Sequence, residues 1–183
     1  MIIILHGGYG SFYKTFEDWQ SDFIQNDFIA VYSQGRDVKG SFVRRYGSSG
    51  INDINQIFEQ VIAKYSVDTT SLILAGQSAG GALSLGLVNN GLFSKGLLLA
   101  FPVKPDNFDI QRAEKLRESS VRVFMICGAQ DKYFYSGQLE LASLLDRAKV
   151  ENKFVKYPNL GHEFPDDFGH QINQGLLFIL NAK

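Results

Sequence analysis

Cysteine is nearly absent from this chain: Cys127 stands alone among 183 residues. One thiol cannot close an internal disulfide, so the sequence suits a reducing compartment and reads as cytoplasmic. Charge of one sign is lacking too. The formal net charge is −1 and no long basic run occurs, which leaves nucleic acid without electrostatic support as a main partner. Long apolar runs are missing as well. The opening Met1-Ile2-Ile3-Ile4-Leu5 has no basic segment before it and ends at His6-Gly7-Gly8. It is too short for a secretory leader and far too short to span a bilayer.

What the chain does have is 45% apolar and 20% charged residues, an ordinary balance for a soluble globular protein and a poor one for disorder. Its length suits one domain, residues 1–183. Short, β-branched apolar runs predict strands at Ile2–Leu5, Phe28–Tyr32, Leu72–Ala75, Gly96–Ala100, Val121–Cys127 and Lys153–Tyr157. Near-continuous hydrophobicity, as in Val123-Phe124-Met125-Ile126-Cys127, suits strands covered on both faces. Between them, Ile51, Ile54, Ile57, Phe58, Val61, Ile62 and Tyr65 recur at helical spacing. Further helices are expected at Thr15–Asn26, Ala79–Asn89, Gly137–Arg147 and Phe168–Leu180. Gln34–Gly50, with Arg44-Arg45, reads as a long loop, and Phe101–Asp109, with Pro102 and Pro105, as a second one. Alternating strands and helices predict an α/β fold: a compact three-layer sandwich of about six mostly parallel strands with helices on both faces.

The segment with most chemical content is Gly76-Gln77-Ser78-Ala79-Gly80. A G-x-S-x-G match is weak alone, but here the apolar strand Leu72–Ala75 runs into it and the small-residue helix start Ala79-Gly80-Gly81-Ala82 follows. A sharp strand-to-helix turn lifts a serine hydroxyl above the sheet and needs small residues two places away on each side, as Gly76 and Gly80 are. It also aims the Ala79 N–H at a developing oxyanion beside a helix N-terminus. After the first strand, His6-Gly7-Gly8-Tyr9-Gly10 offers unobstructed backbone donors, Gly8 first and Tyr9 next. His6 precedes the serine and is expected to order the loop.

A serine needs a base, normally an imidazole oriented by a carboxylate. Asp131, in Gly128-Ala129-Gln130-Asp131, follows the fifth predicted strand, and His162, in Gly161-His162, follows the sixth. Both loops open on the sheet edge that carries Ser78, where sites form in open α/β sheets. Asp109, Glu163 and Asp166 are rival carboxylates with poorer spacing. His170 reads as a surface or packing residue and Cys127 as core. Among the aromatics, Tyr9, Phe12, Phe101 and Phe134 are candidate pocket walls, although Phe12, Phe16 and Trp19 equally suit the packed face of a helix. Arg44 and Arg45 suit an anionic substrate group or, more ordinarily, solvent.

Together these four motifs resemble the α/β-hydrolase superfamily over residues 1 to about 165. Within it, Gly76–Leu85 is similar to the phospholipase/carboxylesterase (acyl-protein thioesterase-like) and dienelactone-hydrolase-like branches, although a dienelactone hydrolase usually carries cysteine at the turn. The resemblance implies hydrolysis of small carboxylic esters or thioesters through an acyl-enzyme, with no metal or organic cofactor. The chain departs from the superfamily's pattern in two ways: it starts at what would be the third strand of that sheet, so the first two strands are expected to be absent, and no insertion is long enough for a large lid. Two alternatives stay open: a serine peptidase or amidase on the same triad, and a non-catalytic binding protein on the same fold. Oligomeric state is not legible.

Overall fold

In a computed structural model of the chain, the apolar runs lie side by side as one parallel sheet. The structure describes residues 1–8, 10–37, 44–45 and 49–181. In chain order the elements are β1 (Ile2–Leu5), α1 (Phe12–Asp18), α2 (Asp22–Asp27), β2 (Ala30–Ser33), β3 (Arg36–Asp37), β4 (Arg44–Arg45), α3 (Gly50–Lys64), a 3-10 turn at Thr69–Ser71, β5 (Ile73–Gln77), α4 (Ala79–Asn89), β6 (Gly96–Ala100), α5 (Ile110–Glu118), β7 (Arg122–Gly128), α6 (Tyr135–Arg147), β8 (Asn152–Tyr157) and α7 (Phe168–Leu180). Six strands take the order β2-β1-β5-β6-β7-β8, and every neighbouring pair is parallel.

Alternation along each strand explains why the runs are apolar throughout. Ile3 and Leu5 of β1 join Leu74, Leu97, Leu99, Val123 and Met125 in a core covered by α3, α4, α5 and α6. Ile2 and Ile4 point the other way, with Ile73, Ala75, Leu98, Phe124 and Ile126, into a second core under α2 and α7. The four central strands β1, β5, β6 and β7 are thus buried on both faces, as a sheet between two helical layers requires, whereas the edge strand β8 exposes Lys153 and Lys156.

Two expectations need correction. The helix expected over Thr15–Asn26 is two helices, because Ser21 intervenes as an N-cap and accepts from the Ile24 N–H at 3.2 Å. Trp19 turns inward at that break and is fully buried, whereas Phe16 is 53% exposed, so Phe12, Phe16 and Trp19 do not form one packed stripe. Within the segment read as a loop, β3 and β4 pair antiparallel, Arg36 opposite Arg45 and Asp37 opposite Arg44. The side chains of Arg44 and Arg45 lie outside what is described.

The chain order places the site. From β1 the chain moves to β2 on one side, then passes back to β5 on the other. The loops leaving β1 and β5 therefore diverge to opposite faces and open a crevice at their carboxyl ends, the usual binding position in open α/β sheets.

Candidate active site

Ser78 sits where β5 gives way to α4. Its φ of 53° and ψ of −118° lie in a region that a non-glycine residue adopts only under constraint. The constraint is visible: its N–H donates to the Ala100 carbonyl at 3.0 Å, and its own carbonyl accepts from the Val103 N–H at 3.1 Å. Behind it α4 packs so closely on β1 that a Cβ on Gly80 would run into the carbonyl oxygens of Leu5 and His6. Only glycine lets the helix start there.

His162 reaches Ser78 from the loop after β8. Its Nε2 lies 2.9 Å from Ser78 Oγ and its Nδ1 2.6 Å from Asp131 Oδ2. Asp131 is an acceptor on both oxygens, so Nδ1 carries the proton and the Nε2 lone pair faces the serine hydroxyl. The Asp131 side chain is fully buried, while that of His162 keeps 30% of its surface exposed. Burying a carboxylate demands donors, and Asp131 has them: the N–H groups of Tyr133 and Phe134 at 3.3 and 3.1 Å on Oδ1, and Gln138 Nε2 at 3.0 Å on Oδ2.

The two loops bearing Asp131 and His162 are stitched together. Ala129 N–H donates to the Tyr157 carbonyl and Gln130 N–H to that of Leu160, both at 2.8 Å. A Cβ on Gly128 would strike the carbonyls of Leu160 and Gly161. Two aromatic rings flank the imidazole, Phe101 with centroids 4.7 Å apart and Phe134 with centroids 4.9 Å apart. Phe101 itself holds a φ of 35°, a second strained position beside Ser78.

On the other side, the Gly7–Gly10 turn closes through a 3.0 Å bond from the Gly10 N–H to the Gly7 carbonyl. His6 is buried beneath it, with Nδ1 2.6 Å from the Gly7 carbonyl and Nε2 3.0 Å from that of Gln34. Gly8 faces Ala79, since a Cβ on Gly8 would lie 3.9 Å from the Ala79 Cβ. The Ala79 N–H opens α4 and has no intrahelical acceptor. Tyr9 lies outside the described residues. A cleft of about 200 Å³ is lined by Gly7, Gly8, Gly10, Gln77, Ser78, Phe101 and His162. Phe134 touches the imidazole from outside that lining, and Phe12 is not part of it.

The other candidates are accounted for elsewhere. Asp109 caps α5 by accepting from the Arg112 N–H at 3.0 Å, and Glu163, Asp166 and His170 are exposed. Cys127 is buried in the core, and its thiol is pushed far up, first by burial and then by the Asp131 charge. Among the described residues no three His, Cys, Asp or Glu side chains gather as metal ligands, and no described helix is long and apolar enough to cross a membrane.

Two polar residues at the site have no counterpart in the sequence reasoning. Gln138 holds Asp131 from seven residues on, at the end of the first turn of α6, a spacing that was available as a signal. Gln77 accepts from the Trp19 indole N–H at 2.7 Å, a pairing that no local pattern announces.

A serine at a strand-to-helix turn, backed by an imidazole and a buried carboxylate on the same sheet edge, is an arrangement that can support nucleophilic chemistry on an α/β fold. A family model described as an alpha/beta hydrolase domain matches residues 20–164, and the chain belongs to the α/β-hydrolase family. No curated protein matches it in sequence. Among solved structures, an uncharacterized protein from Bacillus cereus ATCC 10987 superposes with a TM-score of 0.90 at 20% identity. That match covers 100% of this chain, which spans only 60% of that protein. Arabidopsis thaliana SOBER1 gives a TM-score of 0.70 at 19% identity, with 98% of each chain covered. The Bacillus cereus carboxylesterase gives 0.71 at 18% identity, with 97% of this chain and 86% of that one covered. At these identities the likeness is one of fold.

Proposed function

We propose that this protein is a serine hydrolase that cleaves small carboxylic esters or thioesters through an acyl-enzyme. The observation that carries the reading is the continuous relay from Ser78 Oγ to His162 Nε2 at 2.9 Å and from His162 Nδ1 to Asp131 Oδ2 at 2.6 Å, opening on a cleft at the sheet edge. Solved carboxylesterases with the same fold support the ester-cleaving class. The modest cleft, about 200 Å³, favours short acyl groups over drug-sized ligands.

In this mechanism Ser78 Oγ attacks the acyl carbonyl while His162 Nε2 takes its proton. Asp131 keeps the imidazole in the required tautomer and stabilises its charged form. The developing oxyanion lies against the Gly8 and Ala79 N–H groups. His162 then protonates the leaving group, and water deprotonated by the same nitrogen releases the acid. Every proton transfer uses the chain's own residues. The continuous six-stranded sheet with helices on both faces supports taking residues 1–183 as one domain, and the buried, unpaired Cys127 suits a cytoplasmic protein.

Ser78→Ala tests the reading. Hydrolysis of p-nitrophenyl acetate should fall by at least about 10³-fold, and labelling by a fluorophosphonate probe should vanish, with circular dichroism unchanged. Labelling that survives in the variant overturns the assignment. Parallel assays on an aminoacyl p-nitroanilide separate esterase from amidase.

A further inference from the structure

Gln77, the residue before the nucleophile, is 7% exposed and yet polar. Its Oε1 accepts from Trp19 Nε1 at 2.7 Å. An indole N–H can only donate, so this bond fixes which end of the amide faces Trp19. Trp19 cannot move to relax it. The ring is fully buried, packed edge-on against Phe168 with centroids 5.0 Å apart, and its carbonyl accepts from Tyr32 Oη at 3.2 Å. The amide is thereby locked with its NH₂ group away from Trp19.

That NH₂ group donates to no described residue, and it is not sealed in the core; Gln77 lines the cleft with Gly7, Gly8, Gly10, Ser78, Phe101 and His162. A Cβ placed on Gly7 would lie 3.5 Å from Gln77 Cγ and 3.4 Å from Ser78 Cβ. Gln77 therefore sits under the glycine loop, on the far side of Ser78 from the incoming imidazole. A leaving group must lie beside His162 to receive its proton, which leaves Gln77 beside the acyl chain. Among the described residues this donor pair has no acceptor, and where it opens on the cleft a substrate oxygen can take the place of water. The Trp19 indole uses only the amide oxygen, which leaves the NH₂ end to a second partner.

We propose that Gln77 determines substrate specificity by donating to an oxygen on the acyl group, so that the substrates are esters or thioesters of alkoxy, hydroxy or keto acids with that oxygen close to the scissile carbonyl. Trp19 is the positioning residue that aims it. This inference rests on the serine-hydrolase reading above, and its test separates the two.

The probes are p-nitrophenyl methoxyacetate and p-nitrophenyl butyrate, which differ by one oxygen in place of one methylene. Hydroxide supplies the reference for their intrinsic reactivities. In the wild type, the methoxyacetyl-to-butyryl ratio of kcat/KM should exceed the hydroxide ratio about five- to tenfold, the worth of one hydrogen bond. Gln77→Met removes the donor at similar size. Gln77→Glu keeps an oxygen for Trp19 while replacing the donor, which guards against a loss due only to the unpaired indole. Both should bring the ratio to within about twofold of the hydroxide value, whatever happens to the absolute rates. A ratio that stays at the wild-type value in both variants, or a wild-type ratio equal to that of hydroxide, overturns the inference while the hydrolase reading stands. A wild type that hydrolyses neither ester in a Ser78-dependent way overturns both.

Discussion

Ser78 and His162 meet across a boundary between two differently built halves of the cleft. On the β7–β8 side, position is set by side chains: Asp131 takes four donors, counting His162, and the imidazole stands between the rings of Phe101 and Phe134. On the β1–β5 side, position is set by backbone. The glycine loop closes on itself, the Ser78 torsions are strained, and α4 approaches β1 more closely than any Cβ would allow. Side-chain bonds can be removed one at a time, with graded effects. Backbone packing either fits or does not. The two halves should therefore fail in different ways.

The largest effect is expected on the backbone side. Gly80→Ala puts a methyl group into the carbonyl oxygens of Leu5 and His6, neither of which is free to swing aside, since both are backbone where β1 runs into the glycine loop. The cost should be on the order of 3 kcal/mol or more, a fall of about 10 °C in Tm for a chain of this size, or loss of soluble protein. Thermal melting measures it. A well-folded variant with near-native Tm would mean that α4 and β1 have slack, and the contrast between the halves would collapse.

Asp131→Asn comes next and should leave Tm nearly unchanged. The Tyr133 and Phe134 N–H groups donate to Oδ1, so the asparagine oxygen is held there and its NH₂ takes the place of Oδ2, with the Gln138 amide turned over so that its Oε1 accepts from that NH₂. The asparagine NH₂ then faces His162 Nδ1, which must accept. The ring proton moves to Nε2, where it blocks uptake of the serine proton. A fall in kcat on the order of 10³- to 10⁴-fold follows. Retained activity would show that the imidazole keeps its tautomer without a carboxylate.

Legibility in the sequence divides along the same line. The sheet was readable because parallel strands buried on both faces leave nearly unbroken apolar runs, and Ala79–Asn89 and Phe168–Leu180 match their helices end to end. The juxtaposition of Ser78, Asp131 and His162 was readable because each follows a strand on the same edge. Fold topology brings such residues together without any detail of packing. The break between α1 and α2 was not readable, because helical spacing runs through it and a single capping serine decides. Nor were the Trp19–Gln77 and Gln138–Asp131 bonds. They join residues through side-chain rotamers that a one-dimensional pattern does not encode, and Gln77 looked like a spacer inside its motif.

Gln138 offers the finest test of the side-chain half. It is fully buried, with Nε2 on Asp131 Oδ2, the same oxygen that His162 uses, while its Oε1 has no partner. Gln138→Met removes one favourable bond to the carboxylate and one unsatisfied buried oxygen together. These effects on stability oppose each other, so Tm should move by no more than about 2 °C. Catalysis has no such offset. With one restraint fewer, the carboxylate samples orientations in which Nδ1 is poorly held, and kcat should fall about five- to tenfold with KM unchanged. Gln138→Glu sharpens the point from the other direction. It sets a second carboxyl against Asp131 in a buried site, where both cannot ionise together, so kcat should fall further than with methionine. If both variants turn over at the wild-type rate, the three remaining donors suffice to hold Asp131, and the side-chain half of the cleft is as insensitive to single deletions as the backbone half is intolerant of them.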